Sequence, residues 1–306
     1  MRVVVTGGTG FVGAHLLQLL VERGEEVAVL LRPTSNPWRI THLLSTVTCL
    51  EGDLQRLDIC QPAIAAFAPD TIIHLGWYGV MNTQRDSREQ IGQNLHSTLA
   101  LVDIGIECGC QTWIGLGSQA EYGPQNAIIT EGTTPEPTNL YGATKLATYY
   151  LATQLAKAAS MRFVWLRLFS AYGPKDNPDW MIPYIIRSLL RGAKPSLTAG
   201  EQMWDYIYVG DVAEAIYRCA QAPQAYGAIN LGSGRTVQLR QIIEMIRNAI
   251  DPSLLLGFGE VPYRPDQVMH LQADISKLRA LTGWEPRTSL EHGLAATIRW
   301  YVTQRQ

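Results

Sequence analysis

The segment Thr6-Gly7-Gly8-Thr9-Gly10-Phe11-Val12-Gly13 most restricts what this chain can fold into. It follows the apolar run Val3-Val4-Val5, opens an amphipathic stretch from Gly10 to Arg23, and precedes a second apolar run, Glu26 to Leu31. Gly7, Gly10 and Gly13 thus stand at a GxxGxxG spacing between a strand and a helix. Missing side chains there permit a tight turn, let backbone N–H groups approach a pyrophosphate, and allow close packing of helix on strand. The expectation is a dinucleotide cradle with Gly7, Thr9, Gly10, Phe11 and Val12 as its contacts. An ordinary glycine loop is the competing reading, and the strand, turn, helix and strand in sequence weigh against it.

Where such a cradle binds NAD, an acidic residue about 20 positions on bonds the ribose 2′-hydroxyl, whereas an Arg accommodates a 2′-phosphate. Nineteen residues after Gly13 the second run ends at Arg32, with Ser35 and Asn36 close behind and no carboxylate. NADP(H) is therefore the expected cofactor, against the reading of Arg32 as a solvated strand-end charge. Asp53 in Glu51-Gly52-Asp53-Leu54 is placed to bond an adenine amino group, or is a turn aspartate.

Short β-branched runs alternate with longer amphipathic ones through the first half: a strand at 71–75, a helix at 90–108, a strand at 112–116, a helix at 141–159 and a strand at 163–168. Strands joined by helical crossovers are parallel βαβ units, so the expected fold is α/β, a doubly wound parallel Rossmann sheet. Function then belongs at the C-terminal strand edges. After Phe169 the pattern breaks at Pro174, Pro178, Pro183 and Pro195, and a strand and helix from Ile207 read as a return to the first lobe. The expected division is a dinucleotide-binding domain over 1–171 and 206–228, and a smaller, discontinuous substrate-binding lobe over 172–205 and 229–306. With 306 residues the chain is about twice the ~150 usual for one domain, which suits that division.

Composition excludes several functions. The hydrophobic fraction is 46% and the charged fraction 17%, which is a globular and not a disordered composition. The 25 basic and 27 acidic residues are interspersed, so no stripe exists to displace counterions from nucleic acid. Cys49, Cys60, Cys108, Cys110 and Cys219 are odd in number and contain no CxxC pair, so neither disulfides nor a metal site is expected. No signal peptide and no membrane span are read, and the expected location is cytoplasmic.

Tyr141-Gly142-Ala143-Thr144-Lys145 puts a phenol and an ammonium one turn apart on the helix that begins there. A free Tyr titrates near ~10, and a neighbouring Lys favours its phenolate, making the Tyr an acid or base at neutral pH. Such pairs arise by chance on solvated helices. Here Ser118 lies 23 residues upstream at a strand end, in Gly115-Leu116-Gly117-Ser118-Gln119-Ala120-Glu121-Tyr122-Gly123, where its hydroxyl could reach the same oxygen.

TGGTGFVG, the Ser of GSQAEYG, YGATK, LRLFSAYGP (166–174) and WDYIYVGDV (204–212) together resemble the extended short-chain dehydrogenase/reductase superfamily, in its nucleotide-sugar branch of epimerases, dehydratases and 4-ketoreductases. The resemblance implies a catalytic triad in which Tyr141 moves the proton, Ser118 orients the substrate oxygen and Lys145 holds the nicotinamide ribose. It also implies that Leu75, Gly76 and Trp77 lie beside the cofactor, that Leu168 and Ser170 lie along the nicotinamide, and that a homodimer forms through the helices at 90–108 and 141–159. His74 reads as strand-end packing. Sugar 4,6-dehydratases of the superfamily carry an acidic residue shortly after the Ser/Thr; Gln119 and Ala120 cannot serve as acid or base, so dehydration is not expected. Glu121 in an extended segment would face away.

A 4-epimerase and a 4-ketoreductase use the same triad, but the first keeps NAD and the second exchanges NADPH each turnover. Arg32 favours the reductase, and GSQAEYG and GEQMWDYIYV resemble reductases of CDP- or dTDP-linked 4-keto-6-deoxyhexoses, of the CDP-abequose and CDP-paratose synthase kind. Substrate contacts are expected from Tyr78, Ser118, Gln119, Ala120, Ser170, Trp204 and Arg264, the last as the diphosphate cation unless it simply pairs with Asp266. Many relatives have Arg where Trp204 stands and Asn where Ser170 stands. A catalytically silent NADP-sensing regulator would be the reading had Tyr141 or Lys145 been absent; a reductase of non-sugar ketones is disfavoured by Arg264.

Overall fold

The computed structural model describes residues 1–265 and 267–304. Among them, seven parallel strands form the central sheet: β1 (Arg2–Thr6), β2 (Glu26–Leu31), β3 (Thr48–Glu51), β4 (Thr71–His74), β5 (Thr112–Ser118), and the strands Arg162–Leu168 and Gly227–Leu231. Their order across the sheet is Gly227–Leu231, Arg162–Leu168, β5, β4, β1, β2, β3. The order reverses between β1 and β4, and doubly wound sheets open their ligand crevice at that switch point, beyond the C-terminal strand ends.

Strand side chains alternate between faces, and here both faces are buried, which is why the strands read as continuous apolar runs. Val3, Val5 and Val29 pack with Leu16, Leu17 and Leu20 of α1 (Phe11–Glu22). Val4, Ala28 and Ile72 pack on the other side with Ile64 of α2 (Leu57–Phe67), Leu101 of α3 (His96–Glu107) and Ala152 of α4 (Leu140–Ala158). The Val, Leu and Ile side chains buried to this degree contribute about 1.5–3 kcal/mol each.

The remaining elements are α5 (Met181–Leu190), α6 (Val209–Gln221), α7 (Leu239–Ile250), α8 (Ser276–Thr282) and α9 (Leu290–Thr303). Ile182 and Ile186 of α5, Ile242 and Ile246 of α7, and Leu294 and Ile298 of α9 form a separate core with Tyr172. A four-stranded sheet runs in the order Val237–Gln238, Met203–Trp204, His270–Ala273, Ile128–Ile129. No helix among the described residues is long and apolar enough to cross a membrane.

Three sequence expectations change. The helix read over 90–108 is a π-helical turn, Gln90–Leu95, running into α3; the wider turn carries Gln90 and Asn94 inward, where both amides bond the 77–79 backbone or its side chains. The strand expected near Ile207 is Tyr206–Tyr208, which pairs with Ser170–Tyr172 in its own two-stranded sheet and not with the central one. The strand Gly227–Leu231 belongs to the central sheet, so the boundary expected after residue 228 falls inside it.

Candidate active site

Parallel register aligns the strand ends: Thr6 pairs with His74, His74 with Gly115, and Ser118 with Leu168. The glycine turn, the 75–79 loop, Ser118 and the segment after Leu168 therefore meet along one edge. Gly7 has φ +71°, and a Cβ there would lie 2.5 Å from the Gly76 backbone nitrogen; at Gly13 it would lie 2.2 Å from the Gly7 carbonyl oxygen. Gly10 caps α1 without a side chain, and the first turn of α1 carries no acidic residue, so its N–H groups and dipole stay open to an anion.

Beside this turn lies a cleft of about 360 Å³. Of the residues expected to hold a dinucleotide, its walls include Gly7, Thr9, Gly10, Arg32, Ser35 and Asp53, with Leu54, Leu75, Gly76 and Trp77. A backbone cradle that any Cβ would fill, ending in an Arg and a Ser, fits a nicotinamide dinucleotide. Phe11 and Val12 lie half-buried in the first turn of α1 and do not line the wall, and Asn36 is exposed, its Oδ1 accepting from the Trp38 N–H at 3.2 Å. Tyr78, expected at the substrate, lines the same cleft. His74 is a packing residue: its ring bonds Thr6 Oγ1 at 2.7 Å and Thr98 Oγ1 at 3.1 Å, and burial pushes it down to about 3, hence neutral.

Ser118 ends β5 and caps a 3-10 turn, Gln119–Glu121, its Oγ accepting from the Ala120 N–H at 3.1 Å. Asn139 caps α4 through the Gly142 N–H, and Gly142 packs so closely that a Cβ would lie 2.3 Å from the Ala120 carbonyl oxygen. That contact seats Tyr141 against Ser118. Burial raises the Tyr141 pKa, opposed by its hydrogen bond with Ser118 and by the charge of Arg85, while Glu121 raises it further. The phenol is therefore held protonated at neutral pH.

The expected help from Lys145 takes another form. Its Nζ donates to the Leu116 carbonyl at 2.5 Å and lies 3.4 Å from the centroid of the Trp77 ring, but 6.0 Å from that of Tyr141. Burial lowers the Lys145 pKa and the charge of Glu121 opposes this. The Lys145 ammonium thus turns toward the Leu116 carbonyl and the Trp77 ring.

Glu121 also differs from expectation. It sits in the 3-10 turn, not an extended segment, and its buried carboxylate points back to accept from the Ser118 N–H (2.9 Å), Trp165 Nε1 (2.9 Å) and Arg167 Nε (2.7 Å). Gly117 makes the room: a Cβ there would stand 2.5 Å from Glu121 Oε1. Three donors, one of them a guanidinium, occupy most of its acceptor positions and fix the carboxylate, so what argues against proton transfer by Glu121 is its pairing and not its direction.

On the other side, the two departures from the superfamily pattern meet: Trp204 Nε1 donates to Ser170 Oγ at 2.7 Å. Trp204 also lines a second cavity of about 340 Å³ with Tyr172, Tyr206, Arg235 and Arg287. Arg264 is exposed and does not line it, and its expected partner Asp266 lies outside the described residues. Arg235 and Arg287 were missed at the sequence level; each is a lone Arg in a loop, and only the fold brings them together. Among the described residues no cluster suited to a metal ion occurs. A seam joins the two sides: Trp38 stacks on Trp300, and Arg39 donates to the carbonyls of Lys175 (2.8 Å) and Thr9 (3.3 Å).

Fold and site define a Rossmann-type oxidoreductase built for a nicotinamide dinucleotide, with a Ser–Tyr–Lys constellation at the switch-point edge. The model of the NAD dependent epimerase/dehydratase family matches residues 3–232, and the chain belongs to that family. It is 27% identical to a UDP-glucose 4-epimerase of Halalkalibacterium halodurans over 98% of this chain and 96% of that one. It is 26% identical to a CDP-abequose synthase of Salmonella muenchen over 96% of this chain and 95% of that one. The solved UDP-glucose 4-epimerase of Thermus thermophilus in complex with NAD superposes with a TM-score of 0.86 at 26% identity, over 99% of both chains.

Proposed function

We propose that the protein is an NADP(H)-dependent 4-ketoreductase of a nucleotide-diphosphate 4-keto-6-deoxyhexose. The observation that carries this reading is the pairing of a buried, protonated Tyr141 with Ser118 beside a cleft whose far end carries Arg32 and Ser35. When bound, the nicotinamide supplies a hydride. Tyr141 gives its proton to O4 of the sugar, Ser118 holds that oxygen by a hydrogen bond, and Lys145 bonds the ribose hydroxyls. Arg32 and Ser35 hold a 2′-phosphate, and Gly7, Thr9 and Gly10 hold the pyrophosphate. Arg235, Arg287 and Arg264 are the cations proposed for the substrate diphosphate. The cofactor side is assigned to residues 1–171 and 206–231, the latter taking in the whole central-sheet strand Gly227–Leu231, and the sugar nucleotide to 172–205 and 232–306. A homodimer through α3 and α4 is supported by the exposure of Tyr150 and Leu151 on α4.

The second reading is an NAD-dependent 4-epimerase, favoured by the names of the Halalkalibacterium and Thermus relatives. The test is NADPH oxidation by the purified protein with CDP- or dTDP-linked 4-keto-6-deoxyhexose. Stoichiometric consumption supports the reductase. Retained NAD, with UDP-hexose C4 epimers interconverted and no net cofactor consumption, replaces it by the epimerase. A thermal-shift panel of CDP, dTDP, UDP and GDP identifies the base, since a bound ligand stabilises the fold.

A further inference from the structure

Lys145 is 4% exposed and makes no ion pair among the described residues. A buried ammonium without a counter-charge is strongly disfavoured. Glu121 does not fill that role directly, because its oxygens are bound by the Ser118 N–H, Trp165 Nε1 and Arg167 Nε. What faces the ammonium is aromatic: the ring of Trp77 at 3.4 Å and that of Trp165 at 5.5 Å. An indole face is the best aromatic partner for a cation, and more so where water is excluded.

The indole is held in place. Trp77 Nε1 donates to Gln90 Oε1 at 3.0 Å, and fully buried Gln90 is itself fixed by donating to the Gly79 carbonyl (2.8 Å) and accepting from Asn94 Nδ2 (2.9 Å). Asn94 in turn bonds both backbone groups of Tyr78. The π-helical turn puts these two amides together under the loop, and such turns recur at functional sites.

We propose that Trp77 is a positioning residue for Lys145: its ring face seats the buried ammonium away from Tyr141, leaving a donor not taken by the Leu116 carbonyl or the ring for the cofactor ribose. The groups facing Lys145 are Tyr141 on its own helix, Glu121 on the 3-10 turn and His74 at the end of β4, with Arg167 behind Glu121 and Arg85 behind the phenol. Losing the ring face lowers the lysine pKa further, because the charged form loses its partner.

The chain has five lysines, Lys145, Lys157, Lys175, Lys194 and Lys277, so [ε-¹³C]lysine NMR of the whole protein resolves each, with Lys145→Met assigning the one in question. The expected result is an upfield ring-current shift of the Lys145 ε-CH₂ protons, retained in Trp77→Phe and lost in Trp77→Leu, with the lysine titrating about one pH unit lower in Trp77→Leu. That unit is a tenfold change in the proton equilibrium. The wild-type spectrum needs no variant to fold, and ε-CH₂ protons at ordinary solvent positions there overturn the proposal; so does an unchanged shift in Trp77→Leu. The kinetic consequence rests on the proposed function: kcat falls about tenfold in Trp77→Leu at unchanged sugar KM, and Trp77→Phe recovers most of it. If no nucleotide sugar is turned over by the wild type, the proposed function fails while the lysine spectrum still decides on Trp77.

Discussion

The cofactor cleft and the second cavity have similar volumes, about 360 and 340 Å³, but are built in different ways. Backbone makes the first: Gly7, Gly10 and Gly13 lie within seven consecutive residues, and their work is to have no side chain. Side chains make the second: Tyr172, Trp204, Arg235 and Arg287 come from four separated segments and meet only once the chain has folded. A backbone site tolerates no added atom, whereas a side-chain site can exchange its groups while keeping its shape, as the Trp204–Ser170 pair does.

The largest effect expected from this contrast is at Gly7. Alanine there meets both a left-handed φ and the Gly76 backbone at 2.5 Å, so Gly7→Ala should lose at least about 1–3 kcal/mol of stability from backbone strain alone and weaken cofactor binding more than tenfold. Chemical denaturation and calorimetric titration measure both; near-wild-type cofactor affinity would break the distinction between the sites. At the side-chain end of the same cleft, Arg32→Ala should leave NADH binding unchanged and weaken NADPH binding about 10–100-fold, the range for a hydrogen bond to a charged group. Equal effects on both cofactors would remove the assignment of Arg32 to a 2′-phosphate.

The seam offers a test through pH. Burial raises Asp176 from 3.8 to about 7, against the Asn177 N–H and the Arg39 charge, which lower it. The folded state thus binds the proton more tightly than the unfolded chain, and stability is lost as pH rises from about 3.8 to about 7. Wild type should lose up to about 4 kcal/mol relative to Asp176→Asn across that window, measured as the difference between their unfolding free energies at each pH. Parallel pH profiles would show that Asp176 keeps an ordinary pKa. The smallest effect belongs to the second cavity: Arg235→Ala or Arg287→Ala should raise the sugar-nucleotide KM about tenfold with kcat retained, and an equal fall in kcat would move them out of a pure binding role.

Legibility in the sequence follows the same division. The α/β sheet, the glycine cradle, Ser118, Tyr141 and Lys145 could be read because each depends on contiguous residues with a fixed period or spacing. The π-helical turn could not, since Gln90 to Leu95 lies inside an amphipathic pattern that a regular helix satisfies equally. For Glu121 the local SxxE capping box with Ser118 was a readable signal that the segment is a turn, whereas the other two donors to its carboxylate, Trp165 and Arg167, lie more than 40 residues away and left none. The Trp77–Lys145 contact, 68 residues apart, left no local signal at all. Arg235 and Arg287 left no local signal for the same reason.

The most direct test of the central claim compares wild type with Tyr141→Phe under saturating NADPH and nucleotide-linked 4-keto-6-deoxyhexose. Loss of the proposed proton donor beside Ser118 should lower kcat about 10²–10⁴-fold, with the Kd for NADPH and the melting temperature unchanged. Full turnover by Tyr141→Phe would contradict the account.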